Sequence, residues 1–208
     1  RTVVIDTSGK TEEAILATMP KAGKRSIRSG LKKGKAEGIT FHEDTANAAS
    51  VIDEYYAVME ETAQRDGFRP HPKAVYMDLL RTLGPKHARI FSMRDADDAI
   101  LCWDFCLVEG IRAQAEYGAS TEAGRRLRQP PVLDFLAAEY LARDGVREFD
   151  LMGAHSPRCP DLFSVGKYKI AFASHFTDVP GGWDMPIKKN TYRALRAAKA
   201  IKDWRARS

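Results

Sequence analysis

The stretch HARIFSMRDADDAILCWDFCLVEGIRAQAEY, residues 87–117, decides the predicted fold. Three runs within it alternate apolar and polar side chains with a period of two, which is typical of β-strands. Short links rich in Asp and Gly separate the runs, as expected of turns. The sequence therefore predicts an antiparallel meander. Its strands are residues 87–94, 99–108 and 111–117.

Segments with a helical period surround this meander on both sides. Predicted helices are residues 11–19, 21–36, 48–65, 72–83, one from Pro130, and a basic one from about Thr191. Further short strands are predicted at residues 2–6, 38–42, 148–153 and 169–176, with a Pro- and Gly-rich loop at 154–167. This order predicts an α/β (α+β) domain with a mixed, mostly antiparallel central sheet flanked by helices.

The composition excludes several classes of protein. No apolar run approaches the roughly 20 residues of a membrane-spanning helix. Cys102, Cys106 and Cys159 form no CxxC pair, so we expect a reducing, cytoplasmic compartment. The histidines show no HxxH or HExxH spacing, so no metal site is predicted. The sequence also contains no Walker loop and no GxGxxG loop for binding phosphates. Because the chain begins with Arg1 rather than Met, we expect a trimmed piece of a longer protein.

Positive charge is concentrated in two short stretches. The chain has 33 basic and 28 acidic residues, a net charge of +5. Residues 21–35 hold seven basic residues and no acid, and residues 188–207 hold eight against Asp203. Such clusters indicate either polyanionic partners, meaning nucleic acid, nucleotide-linked substrates or a membrane surface, or two solvated helix faces. Peripheral membrane association is compatible with the first alternative.

Five short segments match, in order, the motifs of one enzyme family. They are KRSIR (24–28) with Lys32-Lys33 and Gly38-Ile39, EET (60–62) leading to RDGF (65–68), YGAS (117–120), FDLMG (149–153), and Tyr168-Lys169 with Phe172. On these motifs the chain resembles the Fem-type (FemABX) peptidoglycan bridge peptidyltransferases. The resemblance spans about residues 2–195.

The resemblance implies a fold and an activity. The fold is the GNAT-like (acyl-CoA N-acyltransferase) fold, so residues 1–208 are expected to form a single GNAT-like domain, the C-terminal lobe of a two-lobe enzyme. The implied enzyme is an aminoacyltransferase that moves an amino acid from aminoacyl-tRNA to an amine of a peptidoglycan precursor or another peptide acceptor. Aminoacyl-tRNA is then the co-substrate, and no separate cofactor is expected.

The same resemblance assigns Lys169 as the catalytic residue. It lies on a predicted strand, where its ammonium could stabilise the ester oxygen or the terminal ribose of tRNA. Tyr168 is assigned to stacking on the terminal adenine. The alternatives are a surface lysine at a strand edge and ordinary packing of the tyrosine ring.

The remaining assignments concern the two substrates. Arg65 is expected to bind a precursor phosphate, although a cation at a helix end is also explained by the helix dipole. Tyr117 is expected to hydrogen-bond substrate, with strand packing as its alternative, and Asp184 to hold the incoming amine. The residues expected to bind RNA are Arg25, Arg28 and Lys32.

Two other functions remain open. A GNAT-type N-acyltransferase using acyl-CoA would need a Q/R-x-x-G-x-G/A loop whose amides wrap pyrophosphate. The corresponding residues 125–131 read RRLRQPP, without glycine and with two prolines that lack an amide donor. A non-catalytic RNA-binding domain would use the two basic stretches alone.

Overall fold

Six strands form one mixed sheet in the order β1-β6-β5-β4-β3-β2. The computed structural model describes residues 1–157, 159–180 and 184–205, of which 203 and 204 are described by their backbone alone. The strands are β1 Thr2–Asp6, β2 Thr40–Glu43, β3 Ala88–Arg94, β4 Ile100–Glu109, β5 Arg112–Ser120 and β6 Glu148–Gly153. The helices are α1 Glu12–Thr18, α2 Lys21–Ala36, α3 Ala48–Asp66, α4 Lys73–His87, α5 Glu122–Arg126, α6 Gln129–Arg143, α7 Phe163–Lys169 and α8 Lys189–Arg205.

The predicted meander is confirmed. The β2–β3, β3–β4 and β4–β5 pairs are antiparallel, and so is the pair of β1 with β6. The β5–β6 pair is parallel, and its ladder joins Arg112–Gln114 to Glu148–Asp150. Both strands run on past this ladder, β5 to Ser120 and β6 to Gly153. The two strands therefore diverge toward their C-terminal ends and leave a wedge-shaped opening in the sheet.

Helices cover both faces of the sheet. Cys102 and Cys106 of β4 belong to the core formed with α2 and α6. Trp103 and Phe105 alternate with them and belong to the core formed with α3 and α4. A strand buried on both faces has a nearly continuous apolar run, as β4 does. The predicted α/β sheet flanked by helices is confirmed.

Glycines allow α2 to lie unusually close to its neighbours. A Cβ on Gly30 would come within 2.5 Å of Val132 Cγ2 on α6, and one on Gly23 within 1.8 Å of the Ala171 carbonyl oxygen. Glycine lowers helix propensity, but here the close approach of two backbones requires it. The predicted helix over 21–36 is confirmed to the residue.

The predicted strand over 169–176 is wrong, and the predicted loop over 154–167 contains a helix. Phe163–Lys169 form α7, so Lys169 ends a helix instead of lying on a strand. The helix closes over His155, because Gly166 has no Cβ where one would come within 2.2 Å of His155 Nδ1. This tertiary contact outweighs the weak local propensity of the segment.

The chain divides into two compact units, Arg1–Asp178 and Val179–Ser208. The first holds the sheet and α1 to α7, and the second holds α8. The predicted basic helix from about Thr191 is confirmed as α8. None of the described helices is both long and apolar enough to cross a membrane.

Candidate active site

Two cations lie at the C-terminal ends of the diverging strands. The Lys169 ammonium donates a hydrogen bond to the Gly153 carbonyl oxygen at the end of β6, at 3.1 Å. The Arg65 guanidinium donates to the Ser120 carbonyl oxygen at the end of β5, at 2.6 Å. A cation therefore lies on each side of the wedge-shaped opening, Lys169 at the β6 side and Arg65 at the β5 side. We take this opening as the candidate site.

Lys169 is partly buried, and three carboxyl groups lie near it, two from strands and one from a helix. Burial lowers the pKa of its ammonium from the ordinary value, while Asp134 on α6, Asp150 on β6 and Asp104 on β4 act in the opposite direction. Burial disfavours the charged amine and nearby carboxylates favour it. The charge of Lys169 thus depends on the state of these carboxyls.

Tyr168 connects the surface of α7 to the interior. About a third of the residue (36%) is exposed, while its hydroxyl donates a hydrogen bond to Asp134 Oδ2. Burial and the Asp134 charge raise the pKa of this hydroxyl well above its ordinary value, so it remains a donor. Its ring packs edge-on against Phe172, with the centroids 5.8 Å apart. Tyr168 is therefore anchored at its hydroxyl and partly exposed to solvent next to Lys169 in the chain.

Asp104 and Asp134 form a buried carboxyl pair beneath Lys169. Their exposed fractions are 9% and 7%, and the two carboxyls lie close enough for each to shift the pKa of the other. Burial, followed by the charge of Asp134, raises the pKa of Asp104 well above its usual range. Burial also raises the pKa of Asp134, against the lowering effect of the hydrogen bonds from Tyr168 and Asp104.

Gly118 makes room for this pair on the diverged part of β5. It is the direct partner of Asp104 in the β4–β5 ladder. A Cβ at this position would come within 2.7 Å of Asp104 Oδ1. The YGAS motif therefore contributes backbone space to the site through its glycine.

A basic stripe runs along the exposed side of α2. Arg25, Arg28 and Lys32 are exposed and lie at i, i+3 and i+7, which places them on one side of the helix. The opposite side of α2 borders a small cavity of about 60 Å³. The cavity is lined by Gly23, Ser26, Ile27, Pro131, Tyr168, Ala171 and Phe172. Through this cavity α2 adjoins Tyr168 by the side opposite to the stripe, so the structure places α2 next to Tyr168 but does not bring the stripe into contact with it.

The structure does not join Tyr117 and Asp184 to this group of residues. Tyr117 points to the opposite face of the sheet, where its ring contacts Tyr76, with the centroids 5.0 Å apart, and also His71 and Phe105. Asp184 belongs to the second compact unit, where it accepts a hydrogen bond from the Tyr192 hydroxyl at 2.5 Å. The roles predicted for both residues stay predictions.

The first amides of α5, the helix that follows β5, are hydrogen-bonded to side chains of the protein. The Glu122 amide donates to Glu61 Oε1 at 2.8 Å, and the Gly124 amide donates to the Thr121 hydroxyl at 3.0 Å. Two of the first three residues of α6, Pro130 and Pro131, have no amide hydrogen. Neither helix start presents the row of free amides that binds a pyrophosphate.

The sequence analysis missed Asp104 and Asp134. Each interrupts an otherwise apolar stretch, ILCWDFCLV in β4 and VLDFLAA in α6. A carboxyl is rarely buried without a partner, so an acid inside such a stretch is a signal that could have been used. That the two acids meet, thirty residues apart in the chain, is a long-range contact that periodicity does not predict.

Sequence comparison identifies one matching family. The profile described as "Acetyltransferase (GNAT) domain" matches residues 21–169, a span from the start of α2 to Lys169. A search of curated proteins finds no match.

Structural comparison finds similar folds among solved proteins. A crystal structure of FemX has a TM-score of 0.69 at 13% identity, covering 82% of this chain and 57% of its own. The C-terminal domain (DUF2156) of a protein named as a lysylphosphatidylglycerol synthetase from Agrobacterium fabrum has 0.60 at 15%, covering 82% and 55%. L-PGS from Bacillus licheniformis has 0.55 at 12%, covering 74% and 46%. The chain thus spans about half the length of these proteins, and the likeness shows the fold.

Proposed function

The chain belongs to the acetyltransferase (GNAT) domain family, and we propose that it transfers an amino acid from aminoacyl-tRNA to an amine. The acceptor is a peptidoglycan precursor or another peptide with a free amine. The observation that carries the proposal is the position of Lys169, a partly buried ammonium that donates a hydrogen bond to the Gly153 carbonyl oxygen at the end of β6. In this account Lys169 is the catalytic residue and Tyr168 the neighbouring contact for the tRNA end.

The reaction makes few chemical demands on the protein. The amine nitrogen attacks the carbonyl carbon of the ester that joins the amino acid to the tRNA ribose. The C–N bond forms, the C–O bond to ribose breaks, and the proton lost by nitrogen is taken up by the released ribose oxygen. Because the ester is already activated, the protein must hold both substrates in line and stabilise the negative charge that develops on the carbonyl oxygen. A partly buried ammonium suits the second task.

The basic stripe of α2 supplies the contact to the nucleic acid. The side chains of Arg25, Arg28 and Lys32 are exposed, so they are available to phosphates at little cost in desolvation. Phosphate contacts position a nucleic acid on a protein. The stripe would position the acceptor stem, and the exposed part of Tyr168 would stack on an unpaired base at its 3′ end.

Arg65 is suited to binding the other substrate, the peptidoglycan precursor. It lies on the β5 side of the opening, and its guanidinium contacts Asp66 and the Ser120 carbonyl. These contacts fix its orientation, which favours binding of a precursor phosphate. Tyr117 and Asp184 remain proposals for the acceptor, without support from their positions in the described residues.

The N-termini of α5 and α6 favour aminoacyl-tRNA over acyl-CoA as the donor. The Glu61 carboxylate already accepts the hydrogen bond of the Glu122 amide at the start of α5, and its negative charge would repel a pyrophosphate there. The start of α6 offers two prolines. The likeness to FemX and to lysylphosphatidylglycerol synthetases agrees with an aminoacyl donor.

N-acylation from acyl-CoA is the second candidate, because the family profile describes an acetyltransferase. RNA binding without catalysis is the third, because the stripe of α2 would support it alone. Localisation in the cytoplasm, where charged tRNA is present, is part of the first proposal.

Mass spectrometry of three parallel reactions tests the proposal. The 208-residue chain is incubated with charged total tRNA and candidate peptidoglycan-precursor or peptide acceptors, with acetyl-CoA and the same acceptors, or with uncharged tRNA. We expect an acceptor heavier by one amino-acid residue in the first reaction only. Acetylated acceptor in the second would support the acyl-CoA alternative, and tRNA binding with no product in any reaction would support the third.

A further inference from the structure

We infer that Asp104 keeps a proton at neutral pH and donates it to Asp134, so that the pair carries one negative charge and holds Lys169 as an ammonium. The inference deepens the proposed function, on which it rests, because it assigns the residues that set the charge of the catalytic group. Asp104 and Asp134 are positioning residues in this account, since they act through Lys169.

The burial of the two carboxyls favours a shared proton. Both are more than nine-tenths buried, and each lies close enough to shift the pKa of the other. Asp104 Oδ2 is buried and receives no hydrogen bond from the described residues. Two ionised carboxylates side by side would repel each other, whereas one proton between them supplies the missing donor.

The surroundings decide which carboxyl is ionised. Asp134 Oδ2 already accepts a hydrogen bond from the hydroxyl of Tyr168. A proton on Asp104 would give the Asp134 carboxylate a second hydrogen-bond donor. Asp104 Oδ1 lies over the bare backbone of Gly118. Asp134 therefore has the better environment for a negative charge and Asp104 for a proton.

The other ionisable groups around the pair do not replace this proton. Cys102 and Cys106 flank Asp104 on β4, and burial, followed by the nearby Asp104–Asp134 pair, raises the pKa of each thiol well above its ordinary value. These thiols therefore stay neutral. Asp150, which also faces Lys169, accepts hydrogen bonds from the Thr2 hydroxyl and from the Met152 amide, the latter at 2.7 Å. His155 packs on the same helix as Lys169, against Gly166.

Asparagine substitutions separate one shared charge from two independent ones. Asp104→Asn replaces the protonated carboxyl by an amide that still donates to Asp134, so the pair keeps its single charge. In Asp134→Asn the charge moves to Asp104, and the total is again unchanged. The double variant has no charge. We expect two nearly silent single variants and one double variant with a large effect.

The readout is the titration of Lys169 itself. The intact chain is labelled with an amine-reactive reagent at a series of pH values, and mass spectrometry of the peptide containing Lys169 gives the pH of half-maximal reactivity. We expect the same midpoint in the wild type and both single variants. In the double variant the midpoint should fall by about one pH unit, a tenfold change in the fraction of neutral amine. Lys167, exposed on the same helix, is the internal control and should not shift.

Two results would overturn the inference. Equal shifts in the single variants that add up in the double variant would mean two independent charges. An unchanged midpoint in the double variant would mean that the pair does not act on Lys169. Because the labelling needs no substrate, these results do not depend on whether the chain transfers amino acids.

A second measurement covers the case in which the double variant does not fold. Infrared spectroscopy of the wild type at pH 7 should show the carbonyl stretch of a protonated carboxylic acid, and this band should be absent from either single variant. If the wild type shows no such band, Asp104 is ionised and the inference is wrong.

Discussion

Two of the described tyrosine–aspartate pairs, Tyr55–Asp44 and Tyr168–Asp134, differ in charge balance, although in each a tyrosine hydroxyl donates to a buried or half-buried carboxylate. Asp44 accepts hydrogen bonds from the Tyr55 hydroxyl, from the Ser92 hydroxyl at 2.7 Å and from Arg94 at 3.3 Å. Asp134 accepts from Tyr168, but its other neighbour is a second carboxyl, Asp104. The first cluster contains its own counter-ion and the second does not.

The pKa shifts of the two clusters have opposite signs for this reason. Burial alone would raise the pKa of Asp44, but the hydrogen bonds from Tyr55 and Ser92 and the charge of Arg94 together lower it. For Asp104, burial and the Asp134 charge act in the same direction and raise its pKa well above the usual range. Satisfied networks stabilise a fold, whereas strongly raised carboxyl pKa values concentrate at functional sites.

The largest effect is expected from Arg94→Met in the first cluster. The Arg94 side chain is 6% exposed and contacts Asp44, Glu54 and Asp98. Its removal leaves a buried carboxylate without a counter-ion, which costs about 3–5 kcal/mol. Urea unfolding measures the loss, with Arg81→Met as a control, because Arg81 forms an exposed pair with Asp78 worth less than about 1 kcal/mol. Equal losses in the two variants would contradict the structural role of the first cluster.

The second cluster should show the reverse behaviour, with loss of activity rather than of stability. Lys169→Ala removes the ammonium expected to stabilise the oxyanion, and loss of one such donor costs about 10²–10³-fold in rate. We expect this drop in aminoacyl transfer with little change in the free energy of unfolding. Lys167→Ala, on the same helix, is the matched control. Full turnover by the Lys169 variant would refute its assignment.

The pH dependence of stability should separate the two aspartates by sign. Asp44 has a lowered pKa, so its contribution to stability is present above the unfolded pKa of about 4 and is lost as the pH falls through the folded value. Asp44→Asn should therefore destabilise at pH 7, by about 1.5–3 kcal/mol for hydrogen bonds to a charged group, and less at pH 3.

Asp104 should behave in the opposite way. Its raised pKa means that its contribution is present below the unfolded value and is lost as the pH rises toward the folded value. The Asp104→Asn variant lacks this loss, so its stability relative to the wild type should increase with pH above about 4, at up to about 1.4 kcal/mol per pH unit. Denaturant unfolding between pH 4 and 8 measures the slope. A slope of the same sign as that of Asp44→Asn would remove the distinction between the clusters.

The smallest effect is expected at the basic stripe. Single alanine variants of Arg25, Arg28 and Lys32 should each weaken tRNA binding slightly and reduce the slope of log affinity against log salt by about 0.7–0.9. Arg81→Ala is the matched control, exposed on α4 away from the stripe. Unchanged slopes in all three stripe variants would show that α2 is merely a solvated helix.

The sequence predicts the framework around both clusters better than the clusters themselves. The alternation in 87–117 and the helical spacing in 48–65 are local, and the structure follows both closely. The strand predicted at Lys169 is wrong because residues 163–172 carry apolar side chains in a spacing that suits either element. Packing of Gly166 on His155 decides for the helix.

The chemistry of the site depends on contacts that a linear pattern does not contain. Lys169 was found through a motif, but its carboxyl neighbours come from β4, α6 and β6. Likewise, Tyr117 and Gly118 are adjacent in one motif, yet they face opposite sides of the sheet. A strand places consecutive side chains on different faces, so a motif on a strand divides its residues between two environments.

Photo-crosslinking of the tRNA 3′ end tests the central claim most directly. A charged tRNA with a photoreactive group at its terminal nucleotide is irradiated with the chain, and the crosslinked peptide is identified by mass spectrometry. We expect crosslinks within residues 163–173, the segment that carries Tyr168 and Lys169, with competition by unmodified charged tRNA and none by coenzyme A. Crosslinks confined to α3 and α4 on the opposite face, or competition by coenzyme A, would contradict the account.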